Sequence, residues 1–151
     1  MAYVEWSHDL DTGVDVIDNQ HRRIVDYINE LYEAQESGDR AAVGEVLDQV
    51  VEYTVSHFSF EESLMQKAGY EFLDSHRKVH ELFIKRAGKY VERFNNDEDI
   101  AGELLSMLRR WLINHIKNED SDYVPAVKVS MRHGREEHTG WLSRTLKRFF
   151  R

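Results

Sequence analysis

The chain has 151 residues, with 20 basic and 28 acidic side chains, and its net charge of -8 argues against nucleic acid as a partner of the body of the protein. Cysteine is absent, which excludes disulfides, thiolate metal ligands and a cysteine nucleophile. The opening residues carry no basic region followed by an apolar run, and no stretch is long and apolar enough to span a bilayer, so neither a signal peptide nor a transmembrane segment is expected, and the expected location is cytoplasmic.

Residues 1–17 read as an extended arm. A first helix is expected from about Asp18 to Ser37, ended by Gly38. Asp39 is placed to cap a second helix that runs to about Ala68, before Gly69. A third runs from about Tyr70 to Phe94, and Asn95-Asn96-Asp97 forms a loop. A fourth runs from about Asp99 to Asp120, and Pro125 is expected to separate it from a tail.

Each helix carries an apolar stripe at helical spacing. The stripes are Ile24, Ile28 and Leu31; Val43, Leu47, Val50, Thr54 and Leu64; Leu73, Phe83, Ala87, Tyr90 and Phe94; and Leu104, Leu108 and Trp111. Short connections between such helices predict an all-α, antiparallel up-down-up-down four-helix bundle with an N-terminal arm and a short C-terminal helical tail. The expected organisation is a metal-holding domain over 1–124 and an extension over 125–151.

Histidines and acids interrupt these stripes. His21 precedes Ile24 on the inward face of the first helix, and His57 and Glu61 continue the series Val50, Thr54 and lead to Leu64. His76 and His80 lie between Leu73 and Phe83, and His115 extends Leu104, Leu108 and Trp111. A lone histidine on an apolar face is usually a core residue bonded to a carbonyl. Five converging from four helices are different, because unpaired buried imidazoles cost several kcal/mol together and a metal satisfies them directly. HFSFE and HRKVH each place two donors four residues apart, about 40° around a helix, so both reach one site. HIKNED is ambiguous. Regular geometry selects Glu119, whereas Asp120 lies about 140° from His115 and serves only if the helix is distorted.

The ordered set resembles the hemerythrin family, whose pattern is a His on the first helix, His-x-x-x-Glu on the second, His-x-x-x-His on the third and His-x-x-x-x-Asp on the fourth. All seven positions match in order over about residues 1–123, and Trp6, Trp111 and Tyr123 also look familial. The resemblance selects Asp120 and leaves Glu119 as a surface acid. It implies that His76, His80 and His115 bind one iron, that His21 and His57 bind the other, and that Glu61 and Asp120 bridge the pair. The implied cofactor is two iron ions (Fe2+ or Fe3+) joined by an oxo or hydroxo bridge, with dioxygen as ligand. Five imidazoles, two bridging carboxylates and one bridging oxygen leave one of about twelve octahedral positions open. It lies on the iron with two histidines, and dioxygen is expected there.

The expected role is reversible dioxygen binding for storage or delivery, without enzymatic turnover. An oxygen or redox sensor, a peroxidase or nitric-oxide-handling enzyme and an iron store are the competing readings. Val25, Ile28, Trp111 and Leu112 are candidate pocket liners, while His8, His133 and His138 read as surface residues. In the tail, Trp141, Leu142, Leu146, Phe149 and Phe150 share one side of a helix, and Arg144, Lys147, Arg148 and Arg151 the other. The apolar side is expected to dock back on the bundle. The basic side is a candidate contact for an oxygen-using enzyme, a redox partner or a membrane surface.

Overall fold

The computed structural model describes residues 2–133 and 135–150, with side chains for 2–132 and 140–150; His133 and His138 therefore lie outside the described side chains. The helices are α1 (Asp15–Ser37), α2 (Arg40–Lys67), α3 (Leu73–Asn95), α4 (Ala101–Asn114), α5 (Ser121–His133) and α6 (Arg135–Phe149), and α4 joins α5 through a π-helical turn over His115–Asp120. No strand occurs among the described residues. The bundle is formed by α1 against α2, α2 against α3 and α1 against α4, with successive helices antiparallel.

Local chemistry sets the helix limits. Gly38 ends α1 in the left-handed conformation at φ 72°, which costs glycine no Cβ clash. Asp39 opens α2, its carboxylate accepting from the Ala42 amide at 3.2 Å. The arm is tied down rather than free. Asn29 exchanges two hydrogen bonds with the Val4 backbone, at 2.8 and 2.9 Å. Buried Asp18 accepts from the Thr12 amide and hydroxyl at 2.8 and 2.7 Å, which fixes the entry into α1.

Two apolar clusters stack along the bundle and meet at the level of the histidines. One holds Ile24, Ile28, Leu31, Leu47, Val50, Leu104 and Leu108. The other holds Ile17, Phe60, Leu64, Tyr123 and Val127, and receives Trp141, Leu142, Leu146, Phe149 and Phe150 from the tail. The apolar side of α6 thus docks against α2 and α5, leaving Arg144, Lys147 and Arg148 exposed.

The expected break at Pro125 is corrected, because α5 runs through it. A proline ring in a regular ladder clashes with the carbonyl four residues back. Pro125 falls in the second turn of α5, close behind the π-turn that ends at Asp120 and interrupts the regular ladder.

Candidate metal centre

The ligand atoms of His21, His57, Glu61, His115 and Asp120 lie within 4.8 Å of one another, and all five side chains are buried. They come from α1, α2 and the π-turn, each from a position where an apolar stripe faces inward. The π-turn resolves the ambiguity of HIKNED. Its i→i+5 register lets residues five apart share a face, and His115 Nε2 stands 3.3 Å from Asp120 Oδ2.

His80, from α3, approaches the same group, with its Nε2 3.6 Å from Glu61 Oε1. His76 sits one turn earlier at the rim, 7% exposed, its ring 6.3 Å from that of His80 and 5.7 Å from that of Tyr123. It is not part of the tight group.

Each carboxylate stands between histidines of both expected sets. Glu61 Oε1 is 3.0 Å from His57 Nε2 on one side and 3.1 Å from His115 Nε2 on the other. Asp120 Oδ2 is 2.8 Å from His21 Nε2 and 3.3 Å from His115 Nε2. This is the placement that a bridging role requires.

Electrostatics without a metal are conflicted. Burial, reinforced by His57 and His115, holds His21 well below the usual imidazole range, and burial also lowers His57 and His76. Burial opposes the charge on His115, but Asp120 and Glu61 outweigh it and hold the imidazole well above its usual range. The two carboxylates diverge. Burial and the Glu61 charge push Asp120 well up, whereas His57 and His115 overcome burial and hold Glu61 well down. Two carboxylates so close cannot both ionise unless cations compensate them.

Hydrogen bonding shows that these residues fit a metal. Eight buried side-chain polar atoms have no hydrogen-bond partner among the described residues, and seven belong to expected ligands: both nitrogens of His21, Glu61 Oε1, His76 Nδ1, His80 Nε2 and both oxygens of Asp120. The close approach of His21 Nε2 to Asp120 lacks the alignment of a hydrogen bond. Each orphaned atom costs about 1–3 kcal/mol, a penalty that coordination removes.

Three residues to which sequence reasoning gave no such role brace the ligands. His57 Nδ1 meets Gln20 Oε1 at 2.7 Å, His80 Nδ1 meets Glu62 Oε2 at 3.1 Å, and His115 Nδ1 meets Glu119 Oε2 at 2.7 Å. Each contact turns Nε2 inward as the metal-facing nitrogen. The expectation of Glu119 as a surface acid is therefore corrected, since its side chain is only 17% exposed and holds His115. Fully buried Tyr123 donates a short hydrogen bond to Glu61 Oε2.

Aromatic rings pack the surroundings. Phe58 stacks on His80 with centroids 4.0 Å apart, and Trp111 stacks on His115 at 5.0 Å. Ile28 and Leu112 are fully buried and Val25 nearly so. His8 is exposed and pairs with Asp11 at 3.1 Å, as a surface residue.

Comparison with known proteins decides the family. Residues 12–127 match the model of the hemerythrin HHE cation binding domain. The chain belongs to the hemerythrin family. It is 55% identical to a bacteriohemerythrin of Stenotrophomonas maltophilia over 99% of both chains. A bacteriohemerythrin of Methylococcus capsulatus is 32% identical, over 85% of this chain and all of that one. A crystal structure of wild-type hemerythrin superposes with a TM-score of 0.79 at 30% identity, covering 83% of this chain and 98% of that one. As a hemerythrin, the protein binds dioxygen at a non-haem di-iron centre. No helix of the described residues is long and apolar enough to cross a membrane.

Proposed function

We propose that this hemerythrin stores dioxygen or delivers it to oxygen-using enzymes, and that it does so without turnover. In this reading His76, His80 and His115 would hold one iron and His21 and His57 the other, with Glu61 and Asp120 shared between the two. The observation that carries the ligand set is the placement of Glu61 Oε1 and Asp120 Oδ2 between imidazoles from different helices. A bound iron pair would supply the redox-active centre for reversible dioxygen binding.

The side chains govern the rest. Gln20, Glu62 and Glu119 fix the tautomers of three ligands by occupying Nδ1. Tyr123 orients Glu61 by donating to its Oε2. Ile28, Leu112, Phe58 and Trp111 make the surroundings apolar, which keeps water from the centre and hinders the escape of protonated oxygen species. The set has five histidines and two acids, so it contributes less negative charge than carboxylate-rich di-iron sites. That favours binding over oxidation.

Residues 1–124 carry the centre in this proposal, and 125–151 form an extension whose apolar side serves packing. The exposed Arg144, Lys147 and Arg148 offer a basic face to an oxygen-using enzyme or a redox partner. The test is to reduce the iron-loaded protein anaerobically and record its visible spectrum as dioxygen is added and removed. A charge-transfer band that appears with dioxygen and disappears under argon is expected. Irreversible oxidation without that band, or steady consumption of dioxygen, overturns the carrier reading.

A further inference from the structure

Iron has to reach a cluster that is almost closed to solvent. Six of the expected ligands are 0–2% exposed, and His76, at 7%, is the one nearest the surface. His76 forms the floor of a hollow of about 760 Å³ between the start of α3 and the π-turn. Three carboxylates, Glu71, Glu119 and Asp122, line that hollow, and no lysine or arginine does. Glu71 and Asp122 are exposed and form no ion pair among the described residues. Their charges converge on the floor, since Glu119 and Asp122 both act on His76, and Glu71 and Asp122 both act on the neighbouring Tyr70. Carboxylates gathered in a concave wall concentrate cations and speed their arrival.

An acidic rim alone is ordinary, and His76 is what makes this one a site. Its Nδ1 is buried without a hydrogen-bond partner. His57, His80 and His115 are each braced at Nδ1 by Gln20, Glu62 and Glu119, whereas no side chain braces His76 in this way. Its ring meets Tyr70 and Tyr123 edge-on at 5.5 and 5.7 Å, contacts that leave it able to turn. One imidazole beside carboxylates is a donor set that suits a divalent first-row cation. Directly behind it lies His80, whose ring is 6.3 Å away and whose Nε2 approaches Glu61.

We propose that this hollow is the entry port for ferrous iron, where Glu71 and Asp122 gather the hydrated cation and His76, with Glu119 beside it, takes the ion before turning inward with it. The proposal rests on the reading of His76 as a ligand of the centre. The ion stays ferrous throughout and exchanges water for protein donors, so entry needs no electron or co-reactant. Glu119 stands at the boundary, with Oε2 on His115 at 2.7 Å and the rest of its carboxylate on the port. Iron leaves by the same path.

Release from the iron-loaded full chain is the first measurement, because it needs no metal-free state. The reduced protein is mixed with excess bipyridine, and the coloured ferrous chelate is followed. The chain lacks cysteine, so Ser75→Cys, exposed on the wall of the hollow, can be plugged with a bulky maleimide. Plugging slows release at least about tenfold, the low end of steering effects on such rates, whereas the same label on Glu33→Cys, exposed on α1, leaves it unchanged. Uptake is then read by stopped-flow absorbance as the chelator-treated chain takes up cobalt(II). Glu71→Gln with Asp122→Asn slows uptake about tenfold at low salt and flattens its salt dependence. Glu45→Gln with Asp48→Asn, which removes the same charge from an exposed stretch of α2, leaves uptake at the parent rate. A plugged chain that releases iron at the unplugged rate, or an uptake indifferent to Glu71 and Asp122, overturns the port. The ligand reading fails separately, if His76→Ala binds cobalt at equilibrium with the parent's capacity and affinity.

Discussion

Glu119 illustrates how one side chain can mislead a reading of spacing. Four residues after His115, it occupies the place that a regular helix assigns to a ligand, yet its carboxylate goes to the far nitrogen of His115 at 2.7 Å. Its loss should loosen the metal without unfolding the bundle. Glu119→Ala is expected to reduce metal affinity about 10–100-fold, with Glu119→Gln in between. Competitive cobalt titration of the metal-free protein reads this directly, and unchanged affinity would remove the bracing role. Six of the seven expected ligands, the five histidines and Glu61, stood out because each interrupts an apolar stripe, where a polar group needs a reason. Gln20 and Glu62 gave no such signal. They sit beside His21 and Glu61 in sequence but serve histidines on other helices, a relation that only packing creates.

The four main helices were legible because their stripes and caps agree. Gly38 and Asp39 mark a chain reversal that the structure places at the same two residues. The π-turn was not legible, because periodicity assumes a regular helix and a local change of register leaves no mark on composition. Its consequence, Asp120 rather than Glu119 facing inward, had to come from family resemblance. Pro125 misled for the same reason, since the rule that proline ends a helix presumes a regular ladder upstream. The tail's apolar side was legible, and its docking can be weighed. Ending the chain at residue 134 uncovers the surface of Phe60 and Leu64 now covered by Phe150 and its neighbours. Exposing the equivalent of two large side chains costs about 3–6 kcal/mol, or about 10 °C in Tm for a chain of this size. A melting temperature unchanged by truncation would show that α6 adds no stability.

For the whole molecule, the buried cluster makes stability depend on pH once metal is removed. His21, His57 and His76 are held below the ordinary imidazole range in the fold, and unfolding returns them to about 6.5. Below that pH the unfolded chain binds more protons at these sites, so acidification destabilises the fold. Asp120, raised in the fold, opposes this as one group against three. Above that pH the raised imidazolium of His115 dominates, and the stability it contributes is lost as pH rises through its folded value. The chelator-treated protein is therefore expected to melt highest near pH 6.5 and lower at about pH 5 and 8. A flat profile would contradict the buried neutral imidazoles.

The stacking of Trp111 on His115 has an optical consequence. The other two tryptophans, Trp6 and Trp141, lie in the arm and the tail, whereas the Trp111 indole lies 5.0 Å from an imidazole of the metal cluster. An indole so close to a paramagnetic, light-absorbing centre loses its emission. The protein thus carries its own lamp, which changes in brightness as the centre fills, and its occupancy can be followed in solution without a label.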